Sequence, residues 1–83
     1  MGTHIAFISV GSNLGDPLEN CSRAVQLLAA QEGVRVTGRS RVYRTEPVGY
    51  TAQAWFVNQV VRVATELEPE ALLERLQALE REV

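Results

Sequence analysis

Two long stretches of this chain are patterned to be extended, and they narrow the choice of fold more than anything else in it. Val34–Tyr43 reads VRVTGRSRVY. Alternation puts Val34, Val36, Ser40 and Val42 on one face, and Arg35, Thr37, Arg39, Arg41 and Tyr43 on the other. Gly38 interrupts the run and marks a bulge or bend. Trp55–Thr65 is a second strand, with Val57, Val61 and Val63 turned toward a core. Residues 46–54 between them read as a loop. The two runs together predict a long antiparallel hairpin, and its apolar face must be covered.

The flanking segments supply the cover. Ile5–Val10 (IAFISV) is short, apolar and bounded by Gly11-Ser12-Asn13, so it predicts a buried strand. Ile5 and Phe7 share one face of it, and Ala6, Ile8 and Val10 the other. A helix start follows. Asp16 can cap, Pro17 suits the first helical position, and Glu19 sits where a capping box needs it. Leu18, Cys21, Val25 and Leu28 recur at helical spacing as a buried stripe. Gly33 is a candidate stop. Pro69 opens a second helix, with Glu70 in its first turn. Leu72, Leu76, Leu79 and Val83 form its stripe, with Leu73 alongside, and the helix is expected to run to the last residue. The order is β-α-β-β-α. The expectation is an α+β fold in one domain, residues 1–83: a ferredoxin-like sandwich lacking its last strand. In the complete fold the first strand lies between the third and the fourth. Here it should lie at an edge.

Composition excludes several classes of function. The net charge is −2, whereas nucleic-acid binding usually leaves a basic footprint. Cys21 is the one cysteine, so neither an internal disulfide nor a zinc cluster can form. A reducing cytoplasmic setting fits. No apolar run approaches the roughly 20 residues that span a bilayer. Met1-Gly2-Thr3-His4 lacks the charged and apolar regions of a signal peptide. No metal site is visible, because the acidic residues are scattered and no Asp-x-Asp occurs. No Ser/His/Asp set is arguable either, since His4 is the only histidine.

The informative stretch is Tyr43-Arg44-Thr45-Glu46-Pro47-Val48-Gly49, followed by Trp55-Phe56-Val57-Asn58. Phe56 and Asn58 are two apart and share a strand face. One is a flat apolar wall. The other carries a donor and an acceptor side by side. Together they suit a flat heterocycle with a hydrogen-bonding edge, although Trp55 and Phe56 also fit as plain core aromatics. Gly11-Ser12-Asn13-Leu14-Gly15 stands between strand and helix, where phosphates often bind. It also fits a tight turn closed by the Ser12 and Asn13 side chains. Arg35, Arg39 and Arg41 form either an anion-attracting row or a solvated face. Gln77 and Glu80 are one turn apart on the last helix and, taken alone, face solvent.

Taken together, these motifs carry a resemblance. Val10-Gly11-Ser12-Asn13-Leu14-Gly15-Asp16, Tyr43 to Gly49 and Phe56-Val57-Asn58, in this order and spacing, resemble 6-hydroxymethyl-7,8-dihydropterin pyrophosphokinase. The last helix, Leu67 to Glu80, is similar too. The resemblance covers all 83 residues and about the N-terminal half of the family's usual length. It implies an enzyme that transfers pyrophosphate from ATP to a reduced pterin in folate biosynthesis, using magnesium. Thr45 and Val48 would then offer loop backbone groups to the pterin edge. Phe56 would stack on the ring, Asn58 would bond its amide edge, and Gln77 and Glu80 would lie near ATP. The family's magnesium-binding Asp-x-Asp strand, its phosphate-clamping arginines and its second pterin-stacking aromatic would all follow Val83. The expectation is therefore a chain with no catalytic or metal-binding residue of its own, inactive alone. The alternative is a non-catalytic ferredoxin-like module for small-ligand binding or assembly. Either way the unprotected edge of the first strand points to homo-oligomers.

Overall fold

The chain forms one antiparallel sheet with both helices packed on the same face. Element order is β1 (His4–Ser12), α1 (Pro17–Ala29), β2 (Val34–Arg39), β3 (Tyr43–Thr45), β4 (Phe56–Thr65) and α2 (Pro69–Glu80). The computed structural model describes residues 2–13, 15–46 and 55–81. β4 organises the sheet. Along one side it pairs with β1, from His4↔Thr65 to Ser12↔Val57. Along the other it pairs with β2 near Thr65 and with β3 near Phe56. Both β1 and β2 oppose β4, so they run parallel to each other, and α1 makes the crossover that parallel strands require.

Alternation along β4 builds the core. Val57, Val61 and Val63 are buried, as their spacing predicts. Val61 and Val63 pack with Val25 and Leu28 of α1 and with Leu72 and Leu79 of α2. Ala6, Ile8 and Val10 of β1 close the side of this cluster. α1 starts as its sequence requires: Asp16 caps it by accepting from the Glu19 N–H at 3.2 Å, and Pro17 opens the first turn.

Five details differ from expectation. Ile5–Val10 was read as a buried strand at the sheet edge. It is the edge strand in the order β1-β4-β2, but only one face is half-buried, and Ile5 is 59% and Phe7 71% exposed. Leu18 is exposed rather than part of the buried stripe. The Cys21 thiol meets Val57, which pairs with the last residue of β1, so Leu18 lies a turn beyond the end of that ladder. Gly33 does not end α1. The helix stops at Ala29, and Gly33, at φ +83°, makes the turn into β2. Leu73 is exposed alongside α2, whereas Leu76 is half-buried; Val83 lies outside the described residues.

The fifth difference matters most for the surface. Val34–Tyr43 is not one strand but two, β2 and β3. The register slips between Val36 and Gly38, a bulge at the glycine the sequence flagged. Paired residues share a face, and Arg35 pairs with Ala64 while Arg39 pairs with Val61. Ala64 and Val61 point to opposite faces of β4. The bulge thus puts Arg35 and Arg39 on opposite faces; Val42, between β2 and β3, is exposed. Ser40 stitches the gap: its N–H donates to the Val60 carbonyl at 2.8 Å, and its Oγ accepts from the Val60 N–H at 2.9 Å.

One buried hydroxyl ties the far end together. Thr65 is 3% exposed; its Oγ1 donates to the Gly33 carbonyl at 2.6 Å and accepts from the Leu67 N–H at 3.0 Å. Thr65→Val keeps the shape and strands both backbone groups. It is expected to cost about 1–3 kcal/mol, seen as a lower urea midpoint at unchanged slope. An unchanged midpoint would show that the hydroxyl contributes nothing.

Candidate functional site

The sequence-predicted pair, Phe56 and Asn58, lies on the sheet face away from the helices. Val57 between them is buried in the opposite direction, and cross-strand partners carry the face to neighbouring strands. Gly11, Asn58 and Tyr43 form one row across β1, β4 and β3. Thr45 and Phe56 form the next. Asn58 Nδ2 donates to Thr45 Oγ1 at 2.9 Å, a diagonal contact between β4 and β3. On the other side Gly11 has no side chain, and a Cβ there would stand 2.6 Å from Asn58 Oδ1. The carboxamide therefore occupies the space above the β1 main chain. With one Nδ2 hydrogen held by Thr45, an amide retains a second hydrogen and its Oδ1, an adjacent donor and acceptor.

Aromatic surface surrounds this amide. Phe56 is 36% and Tyr43 52% exposed, both on the Asn58 face. The Arg44 guanidinium stands 5.8 Å from the Trp55 ring centroid, a cation–π contact. Arg44 pairs with Val57, which puts it on the helix side of the sheet. Thr45, given by the resemblance a backbone role at the pterin edge, is the last residue of β3, and its hydroxyl accepts from Asn58. Val48 lies outside the described residues.

The structure brings Thr45, Phe56 and Asn58 together and leaves Gln77 and Glu80 on the other side of the sheet. Glu80 lines a cleft of about 440 Å³ between β1 and the two helices. Ile8, Leu28, Leu76 and Leu79 form its apolar part. Gln77 is exposed and does not line it. Cys21 also borders the cleft but is a packing residue. Its thiol donates to the Val57 carbonyl at 3.5 Å, and burial pushes its pKa up, which keeps it protonated near neutrality. His4 is a surface residue 3.8 Å from Glu68.

Two features escaped the sequence reading. One is Gly11 as the seat of Asn58, which only the β1–β4 register reveals. The other is the Gly11-Ser12 segment itself, read as part of a turn. Both residues belong to β1, and Ser12 Oγ accepts from Asn20 Nδ2 of α1 at 3.3 Å. The signal for the second was faint: Asn20 is a carboxamide one turn into a capped helix. For magnesium, the described residues do not fit. No three His, Cys, Asp or Glu side chains among them converge on a cation.

Comparison with known proteins gives this geometry a context. Residues 7–83 match the family model of 7,8-dihydro-6-hydroxymethylpterin-pyrophosphokinase. A 2-amino-4-hydroxy-6-hydroxymethyldihydropteridine pyrophosphokinase of Methylorubrum extorquens is 49% identical over 83% of this chain and 44% of its own length. That of Bacillus subtilis is 45% identical over 96% of this chain and 48% of its own length. A folate synthesis bifunctional protein of Arabidopsis thaliana is 40% identical over 92% of this chain and 16% of its own length. The chain spans about half the length of the two bacterial relatives. With the family matched over nearly its whole length, the chain belongs to the 7,8-dihydro-6-hydroxymethylpterin-pyrophosphokinase family.

Proposed function

We propose that this chain carries the pterin half-site of an enzyme that transfers pyrophosphate from ATP to 6-hydroxymethyl-7,8-dihydropterin in folate biosynthesis. The observation that carries the reading is the Asn58 carboxamide, held by Thr45 beside the half-exposed Phe56 ring. A pterin is flat and has an N–H next to a C=O on one ring edge. Asn58 matches that edge, and Phe56 provides a face to stack on. Val48 would close the edge from the loop. Gln77 and Glu80 would serve the ATP side, and a carboxylate there suits ribose hydroxyls or a base amino group better than phosphate. The strand order and the helices on one face support a ferredoxin-like β-α-β-β-α arrangement without its last strand. The lone protonated thiol and the folate route fit a cytoplasmic setting.

Titration with 6-hydroxymethyl-7,8-dihydropterin, followed by Trp55 fluorescence, tests the site. Asn58→Ala should cost about 1–2 kcal/mol of binding through lost hydrogen bonds. Phe56→Ala should cost about 0.5–1.5 kcal/mol of stacking beyond the lost burial. Binding that neither change weakens would place the pterin elsewhere.

We also propose that β1 pairs with β1 of a second copy. The two sheet edges differ. The β2–β3 edge carries a bulge, a break and Arg35, Arg39, Arg41 and Arg44, the usual protections against edge pairing. The β1 edge has neither charge nor proline from Ile5 to Ser12 and pairs only on its β4 side among the described residues. An antiparallel two-fold pairing would satisfy its backbone groups and set the side chains of the second β1 beside Ile5 and Phe7. Ala6→Pro or Phe7→Lys should shift sedimentation toward monomer. A wild-type chain that stays monomeric at high concentration would refute the pairing.

A further inference from the structure

We infer that Gly11 is a positioning residue for Asn58: its missing side chain is the space that lets the carboxamide lie across β1 and present its donor–acceptor edge outward. The inference deepens the pterin reading and rests on it only for the ligand. Gly11 and Asn58 are cross-strand partners in the β1–β4 ladder. Of the heavy atoms a Cβ at Gly11 would meet, only Asn58 Oδ1, at 2.6 Å, is too close. Asn58 Cγ and the Val57 carbonyl oxygen, both at 3.6 Å, are ordinary contacts. The crowding therefore belongs to the end of one side chain rather than to the backbone.

That side chain is also held from the other side. Asn58 Nδ2 donates to Thr45 Oγ1 at 2.9 Å. Between the Gly11 main chain and the Thr45 hydroxyl, the amide has a defined plane. Rotating Asn58 away from an added methyl would break the Thr45 bond and turn the amide edge away from the Phe56 side. Gly11 is thus required for where a neighbouring amide points, and not for backbone freedom. Thr45 is the second half of the same clamp, which gives the β3 hydroxyl its reason to sit diagonally from Asn58.

A double-mutant cycle tests this with two readouts. Thermal melts of wild type, Gly11→Ala, Asn58→Ala and the double variant come first. Gly11→Ala should lower the melting temperature in the wild-type background and leave it unchanged once Asn58 is alanine. If Gly11→Ala alone fails to fold, the double variant should regain a cooperative melt. The second readout is affinity for 6-hydroxymethylpterin. Gly11→Ala and Asn58→Ala should each lose about tenfold, the scale of one or two neutral hydrogen bonds, and the double variant no more than either. Thr45→Val should follow them, and Thr45→Ser should restore binding. Equal destabilisation by Gly11→Ala in both backgrounds overturns the inference. So does pterin binding that Asn58→Ala weakens and Gly11→Ala does not. If wild type binds no pterin, the pterin reading fails, and the melts alone decide the role of Gly11.

Discussion

The purified 83-residue chain is expected to show no transfer of pyrophosphate from ATP to 6-hydroxymethyl-7,8-dihydropterin above the uncatalysed background. Phosphoryl transfer leaves a protein little covalent chemistry to do. Its catalysis is positioning and neutralisation of charge. An arginine at the transferring group alone is worth about 10³–10⁵ in rate, and bound metal adds to that. The described residues assemble neither contribution. Asp16 is the only aspartate in the sequence, and it is engaged in capping α1. Among the described residues no acidic cluster can hold a cation. Arg35 and Arg39 lie on opposite faces of the sheet across the β2 bulge. The check is a magnesium-containing assay with both substrates, in which product is separated and counted. Turnover dependent on the chain would mean that it builds a metal site which its described residues do not contain.

Leu28→Ala is expected to have the largest effect on the fold. Leu28 is 2% exposed and packs with Val25, Val61, Val63 and Leu79 in a cluster that joins both helices to the sheet. Truncating a leucine so placed costs about 2–5 kcal/mol. Small domains have about 5–15 kcal/mol in total, and a chain this short lies toward the lower end. Urea titration followed by far-ultraviolet circular dichroism should show the cooperative transition lost or moved close to zero denaturant. Leu73→Ala is the control, since Leu73 is 55% exposed and should shift stability by no more than about 0.5 kcal/mol. Equal effects from the two changes would contradict the assignment of the core.

How much of this the sequence revealed depended on whether the information was local. The α1 start is written in Asp16, Pro17 and Glu19, and it forms as written because capping involves only neighbours in the chain. The valines of β4 alternate and are buried in phase. The exposure of Ile5 and Phe7 could not be read the same way. Both faces of this strand are apolar, and only the placement of both helices on one side of the sheet leaves the Ile5 and Phe7 face uncovered. The break at Ser40 was hidden for a related reason. Gly38 announced a bulge, and its change of phase puts Arg39 on the face opposite Arg35, but a second shift before β3 returns Tyr43 to the Arg35 face, and only the pairing with β4 shows that.

The candidate site divides along the same line. Phe56 and Asn58 share a face because two-residue spacing in a strand requires it. Thr45 was found by motif, but the bond its hydroxyl accepts from Asn58 was not, because that bond depends on the β3–β4 register. Gly11 went unnoticed as a site residue. Its neighbour across the ladder is 47 positions away in the chain, and nothing near it in sequence refers to Asn58.

The most direct measurement is a map of backbone and side-chain amide shifts as 6-hydroxymethyl-7,8-dihydropterin is added to the isotope-labelled chain. Perturbations should concentrate at Gly11, Thr45, Phe56 and Asn58, include the Asn58 side-chain NH₂ pair, and require about tenfold more pterin in Asn58→Ala. Perturbations centred on the cleft lined by Leu28, Leu76 and Glu80, or none at saturating pterin, would contradict a pterin site on the open face of the sheet.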